Sequence, residues 1–421
     1  MPDSLSSIPT PGSAAAETAA PAASRMTPQE RRSSASLASL FALRMLGLFL
    51  VLPVFALEAA RYPGGSDPAL VGLAMGVYGL TQACLQMPFG LASDRYGRKR
   101  VVVCGLLVFA LGSGVAAVAD SLVWLLAGRA LQGAGAVSAA VTALLADQTR
   151  DAVRTKAMAL VGGSIGLMFA LALVAGPLLA ARIGLAGLFG LTGVLALAGV
   201  AAVVWWVPPE VPHAGPAERG RLRDLWGHRD LLRLNLGVFV LHTVQLAMWV
   251  AVPALLVQAG LEKAHHWWIY LPAVLASFVV MGATLFPMER RGRLQWALRG
   301  AVGLVVLVQA GLWAAASGAA GGAPWGLAAL GLLLFVFFCG FNVLEASQPS
   351  LVSRLAPSRL RGAALGAYNT LQSLGLFAGG ALGGALVKTA GPQGLFAATL
   401  ALSLVWLAVT WGVRPPSPGA R

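Results

Sequence analysis

Apolar stretches of roughly twenty residues follow one another along this chain, each closed off by charges or a Gly/Pro turn, and that rhythm leaves few folds open. They fall at 36–60, 69–93, 101–119, 122–148, 157–181, 187–207, 234–258, 267–288, 296–317, 325–352, 363–388 and 394–413. A helix needs about 20 apolar residues to cross a hydrocarbon core about 30 Å thick. In lipid every backbone N–H and C=O must be bonded within the protein, so only helices and closed barrels cross. Runs this long, without strict alternation, read as helices. The expected fold is an all-α membrane protein with twelve transmembrane helices, the eighth and ninth divided only by Glu289 to Arg293. Charged residues make up 11% of the 421, against about 25% in soluble proteins. A soluble enzyme, a disordered chain and a coiled coil therefore fit poorly.

The distribution of charge sets the sidedness. An even number of crossings puts both termini on one side, and Lys and Arg collect in cytoplasmic connections. Of the 30 basic residues, 24 fall in the tails and in the connections on that side, whereas Arg61, Arg182, Lys263 and Lys388 alone fall on the other. Both termini are expected in the cytoplasm, in a multi-pass protein of the inner (cytoplasmic) membrane. The net charge of +14 is thereby a topology signal and calls for no nucleic acid. Residues 1–33, rich in Pro, Ala and Ser, are expected to be a disordered cytoplasmic tail. Arg31-Arg32 ahead of an apolar run looks like a twin-arginine leader, but Arg44 interrupts the run and eleven more follow, so an uncleaved first helix is expected. Cys84, Cys104 and Cys339 lie in apolar segments without metal-ligand spacing and read as packing residues.

A basic stretch at 208–233 divides a bundle at 34–207 from another at 234–413, with a short tail at 414–421. The halves echo each other once. Asp94-Arg95-Tyr96-Gly97-Arg98, between the second and third helices, recurs as Glu289-Arg290-Arg291-Gly292-Arg293 between the eighth and ninth. Six helices twice over, with a repeated turn, favour two pseudo-symmetric six-helix bundles that rock about a midplane site.

The segment Gly90 to Arg100 resembles the signature between helices 2 and 3 of the major facilitator superfamily: Gly90, Asp94, Arg95, Gly97, Arg98 and Lys99 match it. Gly97 suits a tight turn, and Gly90 admits close approach of another helix. The resemblance implies a conformational latch in which Asp94 docks at the start of helix 11 near Gly362 and Arg98 pairs with an acid ending helix 4, where Asp147 is placed. In helix 4, Arg129-Ala-Leu-Gln132-Gly133-Ala-Gly135 is similar to the pattern of proton-coupled members, although Arg129 also sits where a side chain can snorkel to the interface. In helix 5 Gly176-Pro177 is present, but Ala172 and Ala180 replace the flanking glycines of the antiporter pattern, which weakens antiport against symport. Helix 1 (Ser39 to Phe55) and helix 10 (Phe341 to Arg354) resemble the YajR group of bacterial drug:proton antiporters. The chain stops at Arg421, so the soluble domain that follows helix 12 in that group is not expected.

Ionisable groups inside a membrane are costly, by about 2.5–3.5 kcal/mol on insertion scales, and mark function by default. Glu345, about two turns from the cytoplasmic end of helix 10, is the only acid well inside a span and the first candidate for proton coupling. Arg44 sits about two turns into helix 1; since the resemblance implies that helices 1, 4, 7 and 10 line the cavity, it faces either an anionic substrate or Glu345, or else bonds a neighbouring backbone. His242 is the one membrane histidine, a packing residue or a relay, and with Arg129 completes the proton-coupling candidates. Amides and rings expected along the cavity are Gln82, Gln86, Gln132, Gln245, Trp249, Asn342, Gln348, Asn369 and Gln372, with Tyr78 and Tyr368. An apolar cavity with scattered amides suits amphiphilic organic compounds better than sugars. Trp205, Trp206, Trp267, Trp268 and Trp325, at span ends, read as interfacial anchors.

The expected function is secondary active transport by alternating access, with efflux of a small organic compound driven by a proton gradient and no cofactor or metal. A monomer is expected, with substrate, protons and lipid as its partners. A proton-coupled importer of an organic nutrient remains the main alternative, and a non-transporting receptor or assembly factor a further one. Copper uptake is disfavoured because no Met-x-x-x-Met or His-x-x-x-Met occurs. No nucleophile set, metal cluster or nucleotide loop points to an enzyme.

Overall fold

The computed structural model describes residues 26–210, 227–318, 325–357 and 360–413. The chain forms α1 (Pro28–Val51), the short α2 (Phe55–Ala59), α3 (Pro68–Tyr96), α4 (Arg98–Ala117), α5 (Leu122–Ala134), α6 (Ser138–Asp147) and α7 (Asp151–Trp205). After these come α8 (Arg229–Gln258), a 3-10 turn at Lys263–His265, α9 (Trp267–Arg290), α10 (Leu294–Gly318), α11 (Leu327–Leu355) and α12 (Arg361–Thr410). There is no strand among the described residues.

Among the described residues ten stretches are long and apolar enough to cross a membrane, α5 and α6 together making one of them. Two of the ten, Lys156–Trp205 and Arg361–Thr410, run for 50 residues each. At 1.5 Å per residue that is about 75 Å, more than twice the hydrocarbon thickness. Each contains one non-helical glycine, Gly184 (φ 64°, ψ −174°) and Gly391 (φ 69°, ψ −178°), in a region that side chains exclude. The chain doubles back there. Before the first break, a Cβ on Gly176 would lie 2.6 Å from the Leu50 carbonyl, and after it Thr192 Oγ1 donates to the Gly47 carbonyl at 2.9 Å. Both limbs therefore run along the same turn of α1. Around Gly391, Leu395 likewise lies against Gly383. Each long helix is thus folded into two limbs, matching the separate apolar runs at 157–181 and 187–207 and at 363–388 and 394–413.

Some boundaries differ from expectation. The first helix begins at Pro28, inside the tail expected to be disordered to residue 33. Thr27 caps it: its hydroxyl accepts from the Glu30 amide at 3.1 Å, while Glu30 accepts from the Thr27 amide at 2.8 Å. This reciprocal box satisfies two otherwise orphaned donors. Glu30 is buried against Arg150, which holds the start of α1 to the turn before α7. At the other boundary, α8 begins at Arg229, inside the expected linker. The expected tail over 1–25, the linker over 211–226 and the tail over 414–421 lie outside the described residues.

Side-chain contacts tie the basic connections together at one end of the bundle, here the basic end. Arg32 reaches the Trp206 carbonyl, Arg98 meets Asp147, Arg233 bonds the Gly412 carbonyl and Arg299 that of Trp411. The two halves approach most closely at the other, outer end. There α3 lies on α12 with backbone almost touching backbone: a Cβ on Gly72 would run into the Gly380 carbonyl and one on Gly384 into that of Pro68. Glycine permits this approach because it presents no side chain. Ion pairs Asp67–Lys388 (2.7 Å) and Glu58–Lys263 cross between the halves at the same end. Toward the basic end the halves diverge. A Cβ on Gly362 or Gly366 would meet nothing within 4 Å, and one on Gly90 would meet Ala139 of its own half.

Candidate functional site

Arg44 faces the interior of the first half. Because α1 starts at Pro28, it sits sixteen residues in, about 24 Å along the helix. It is 2% exposed. Its guanidinium donates to Ser138 Oγ at 2.8 Å, to the Tyr78 hydroxyl at 2.8 Å and to Gln82 Oε1 at 3.4 Å. The Phe109 ring lies 5.7 Å away on another side. Arg129 approaches the same tyrosine, its guanidinium 5.1 Å from the Tyr78 ring centre. It donates to Gln132 Oε1 at 3.0 Å and to the Met75 carbonyl at 3.3 Å. Gln132 in turn donates to Ser113 Oγ at 2.8 Å. Arg129 is therefore enclosed in the protein, not turned to the interface. Among the described residues neither arginine has a carboxylate partner, so neutral dipoles and a phenol ring alone offset two buried charges.

In the second half, α8 is almost wholly surrounded by protein, and His242 projects from it towards α11. His242 Nδ1 lies 2.9 Å from the Val238 carbonyl, four residues back, which fixes the proton on Nδ1. The other nitrogen, Nε2, faces Glu345 Oε1 at 3.1 Å and Gln372 Nε2 at 2.8 Å. With Nδ1 donating, Nε2 has one lone pair and the Gln372 amide donates to it; Glu345 Oε1 stands beside it, buried and without a hydrogen-bond partner. The expected lone acid and lone histidine form one site.

The two clusters meet across the interface between halves. Gln82, which accepts from Arg44, donates from Nε2 to Ser373 Oγ at 3.1 Å. Ser373 follows Gln372 in sequence, so adjacent residues of α12 contact the Arg44 cluster and the His242–Glu345 pair. Gln82, Asn369 and Gln372 are part-exposed.

Other expected cavity residues serve packing. Asn342 donates to Ser277 Oγ at 2.8 Å, tying α11 to α9. Trp249 is 4% exposed and stands edge-on to Tyr270 at 5.3 Å. Gln348, 1% exposed, lies beside Gly237 of α8. Gln86 and Gln245 are also buried. Gly176, next to Pro177, packs on the Leu50 carbonyl and Pro53. The sequence reading did not single out the phenylalanines: Phe169 of α7 meets Phe49 of α1 at 5.1 Å and, across the halves, Phe338 and Phe341 of α11 at 6.0 and 6.4 Å. Phe341 also lies 6.2 Å from the His242 ring. Phenylalanine in an apolar helix carries no sequence signal.

At the basic end Gly97 takes φ 99°, the turn that only glycine adopts freely, and delivers Arg98 into the bundle. Arg98 pairs with Asp94 one turn back, donates from Nε to Asp147 Oδ2 at 3.0 Å and reaches Ser93 Oγ at 2.7 Å. Arg95 points outward, stacked over the Tyr96 ring at 5.5 Å. Glu210, beyond α7, accepts from the Arg98 amide at 3.1 Å and so caps α4.

Comparison with known proteins agrees with this architecture. The model of the Major Facilitator Superfamily matches residues 37–380. The inner membrane transport protein YajR of Escherichia coli (strain K12) is 42% identical over 396 residues, covering 93% of this chain and 85% of that protein. The multidrug resistance protein MdtH of Yersinia enterocolitica is 28% identical over 355 residues, covering 80% and 82%. Among solved structures, an auto inhibited POT family peptide transporter superposes with a TM-score of 0.72 over 93% of this chain and 98% of its own, at 14% identity, a likeness of fold alone. With its helices doubled back at Gly184 and Gly391, two halves and the 90–98 turn, this multi-pass membrane protein belongs to the Major Facilitator Superfamily of transporters.

Proposed function

We propose that this chain is a proton-coupled antiporter that exports small amphiphilic organic compounds by alternating access, in a bacterial inner membrane, with its basic end in the cytoplasm. The observation that carries the reading is the His242–Glu345 contact at 3.1 Å, where a buried carboxyl oxygen without a hydrogen-bond partner faces an imidazole nitrogen. A proton taken up on Nε2 turns the contact into an ion pair and removes the lone pair that accepts from Gln372. His242 then releases Gln372, whose neighbour Ser373 holds Gln82 of the other half. Proton uptake at one half is thereby felt at the contact between halves, the differential interaction that coupling requires. Arg44 and Arg129, charged without a carboxylate partner among the described residues, favour compounds bearing a negative group. When the basic end closes, Asp94 docks at the start of α12 near Gly362, on a turn that the Arg98–Asp147 pair already braces in the present state. The name of MdtH, a multidrug resistance protein, supports export of foreign compounds.

Substrate-dependent proton flux in liposomes, screened over cationic, neutral and anionic organic compounds, tests the reading. Proton movement opposite to a compound establishes antiport. Movement in the same direction turns it into an importer, and flux indifferent to Glu345→Gln removes the pair from the mechanism.

A further inference from the structure

At the basic end, away from the interface between halves, the start of α8, the start of α10 and the end of α12 enclose a cavity of about 690 Å³. Arg229, Arg233 and Arg299 line it, with Asp230 as its one acid. Asp230 is already committed to Arg233 at 2.9 Å. Arg233 also donates to the Gly412 carbonyl, and Arg299 to that of Trp411 at 2.6 Å, so the negative end of α12 is already neutralised. Arg229 makes no hydrogen bond or ion pair among the described residues. The cavity thus holds two positive charges in excess of its carboxylate, and Gln295 adds an amide to its wall.

The surroundings identify the medium that this charge faces. Arg299 is clamped between two indoles, 5.2 Å from the Trp296 ring and 4.7 Å from that of Trp411. Both rings are themselves 51% and 58% exposed, next to helix faces that present Leu307, Leu404 and Val405 outward. Exposed tryptophans at helix ends beside outward leucine and valine mark the boundary between lipid tails and headgroups. A cationic cavity opening at that depth meets phosphate at high local concentration. Planar guanidinium forks bind phosphate oxygens in pairs. The exposed indoles offer apolar contact to the glycerol and upper acyl carbons.

We propose that this cavity binds the headgroup of an anionic phospholipid. The excess charge selects phosphatidylglycerol or cardiolipin over zwitterionic headgroups, which carry the same phosphodiester but no net charge. The bound lipid ties α8, α10 and α12 together at the rim of the second half. This inference is independent of what the transporter carries.

The test is native mass spectrometry of the purified full-length chain, titrated with phosphatidylglycerol and, separately, phosphatidylcholine. Phosphatidylglycerol is expected to be retained preferentially. Arg229→Gln should weaken that retention about fivefold, and Arg229→Gln with Arg299→Gln further. Because Arg229 bonds nothing else in the described protein, the single variant should keep the lipid-free melting temperature, which separates lost binding from lost folding. Equal retention of the two lipids, or retention that neither variant alters, overturns the proposal. Displacement of phosphatidylglycerol by an equimolar amount of free glycerol phosphate assigns the cavity to a soluble anion and overturns the lipid reading.

Discussion

Gln82 and Ser373 form a hydrogen bond of 3.1 Å between the two halves, with a buried arginine behind one and the His242–Glu345 pair one residue from the other. Removing one such bond changes a conformational equilibrium by about 0.5–1.5 kcal/mol. Ser373→Ala should therefore shift the balance between open states about two- to twelvefold away from the one described here. Double electron–electron resonance between labels at the outer ends of α3 and α12 reads that shift; an unaltered distance distribution would show that the bond does not hold the halves.

Glu345→Gln keeps the shape of the site but cannot ionise. Uphill export driven by a proton gradient should fall to background, while exchange of substrate across the membrane without a gradient persists. Counterflow assays in proteoliposomes separate the two. Gradient-driven export at the wild-type rate would sink the coupling role.

The Arg98–Asp147 pair is shielded from water on both sides, with side chains 12% and 17% exposed. Asp147→Asn should weaken this charge-assisted bond by about 1–2 kcal/mol, loosening the turn that presents Asp94 and slowing transport through less frequent closure of the basic end. Thiol-reagent accessibility of single cysteines on that face should rise accordingly, and an unchanged labelling rate would count against the latch.

Asp67 ends the outer approach of α3, where the Lys388 ammonium, aided by the Ala69 amide, holds its carboxyl below the usual carboxylate range. A depressed value means that the contribution is present above the ordinary aspartate range, near pH 3.9, and is lost as pH falls through the lower value. Closure of the outer end should be flat from about pH 8 to pH 5 and weaken only below that. Cross-linking between cysteines placed on either side of the pair, followed against pH, gives the profile. A step near neutral pH would mean that another group controls the clasp.

A Cβ at Gly72 cannot coexist with the Gly380 carbonyl in this arrangement. Gly72→Val should therefore disfavour outer closure far more than Gly362→Val disfavours the present state, since Gly362 has nothing within 4 Å. Comparing outer-end label distances for the two variants decides it. Equal effects would mean that the outer approach is looser than described.

The crossings were legible because hydrocarbon imposes its thickness on the sequence, and the 90–98 turn because glycine and paired charges are needed there. The start of α1 was legible too, in Thr27-Pro-Gln-Glu30, a capping box with proline at its first helical position, yet the Pro/Ala/Ser richness before it masked the signal. The pairing of His242 with Glu345 was not legible, because periodicity in a helix buried on all sides does not reveal its rotation. For the same reason Asn342, Gln348 and Trp249 read as cavity residues when they face neighbouring helices.

The reversals at Gly184 and Gly391 turn a helix through the outer face on a single residue. Each such hairpin point offers a protease no extended strand to seize and an antibody little to grip.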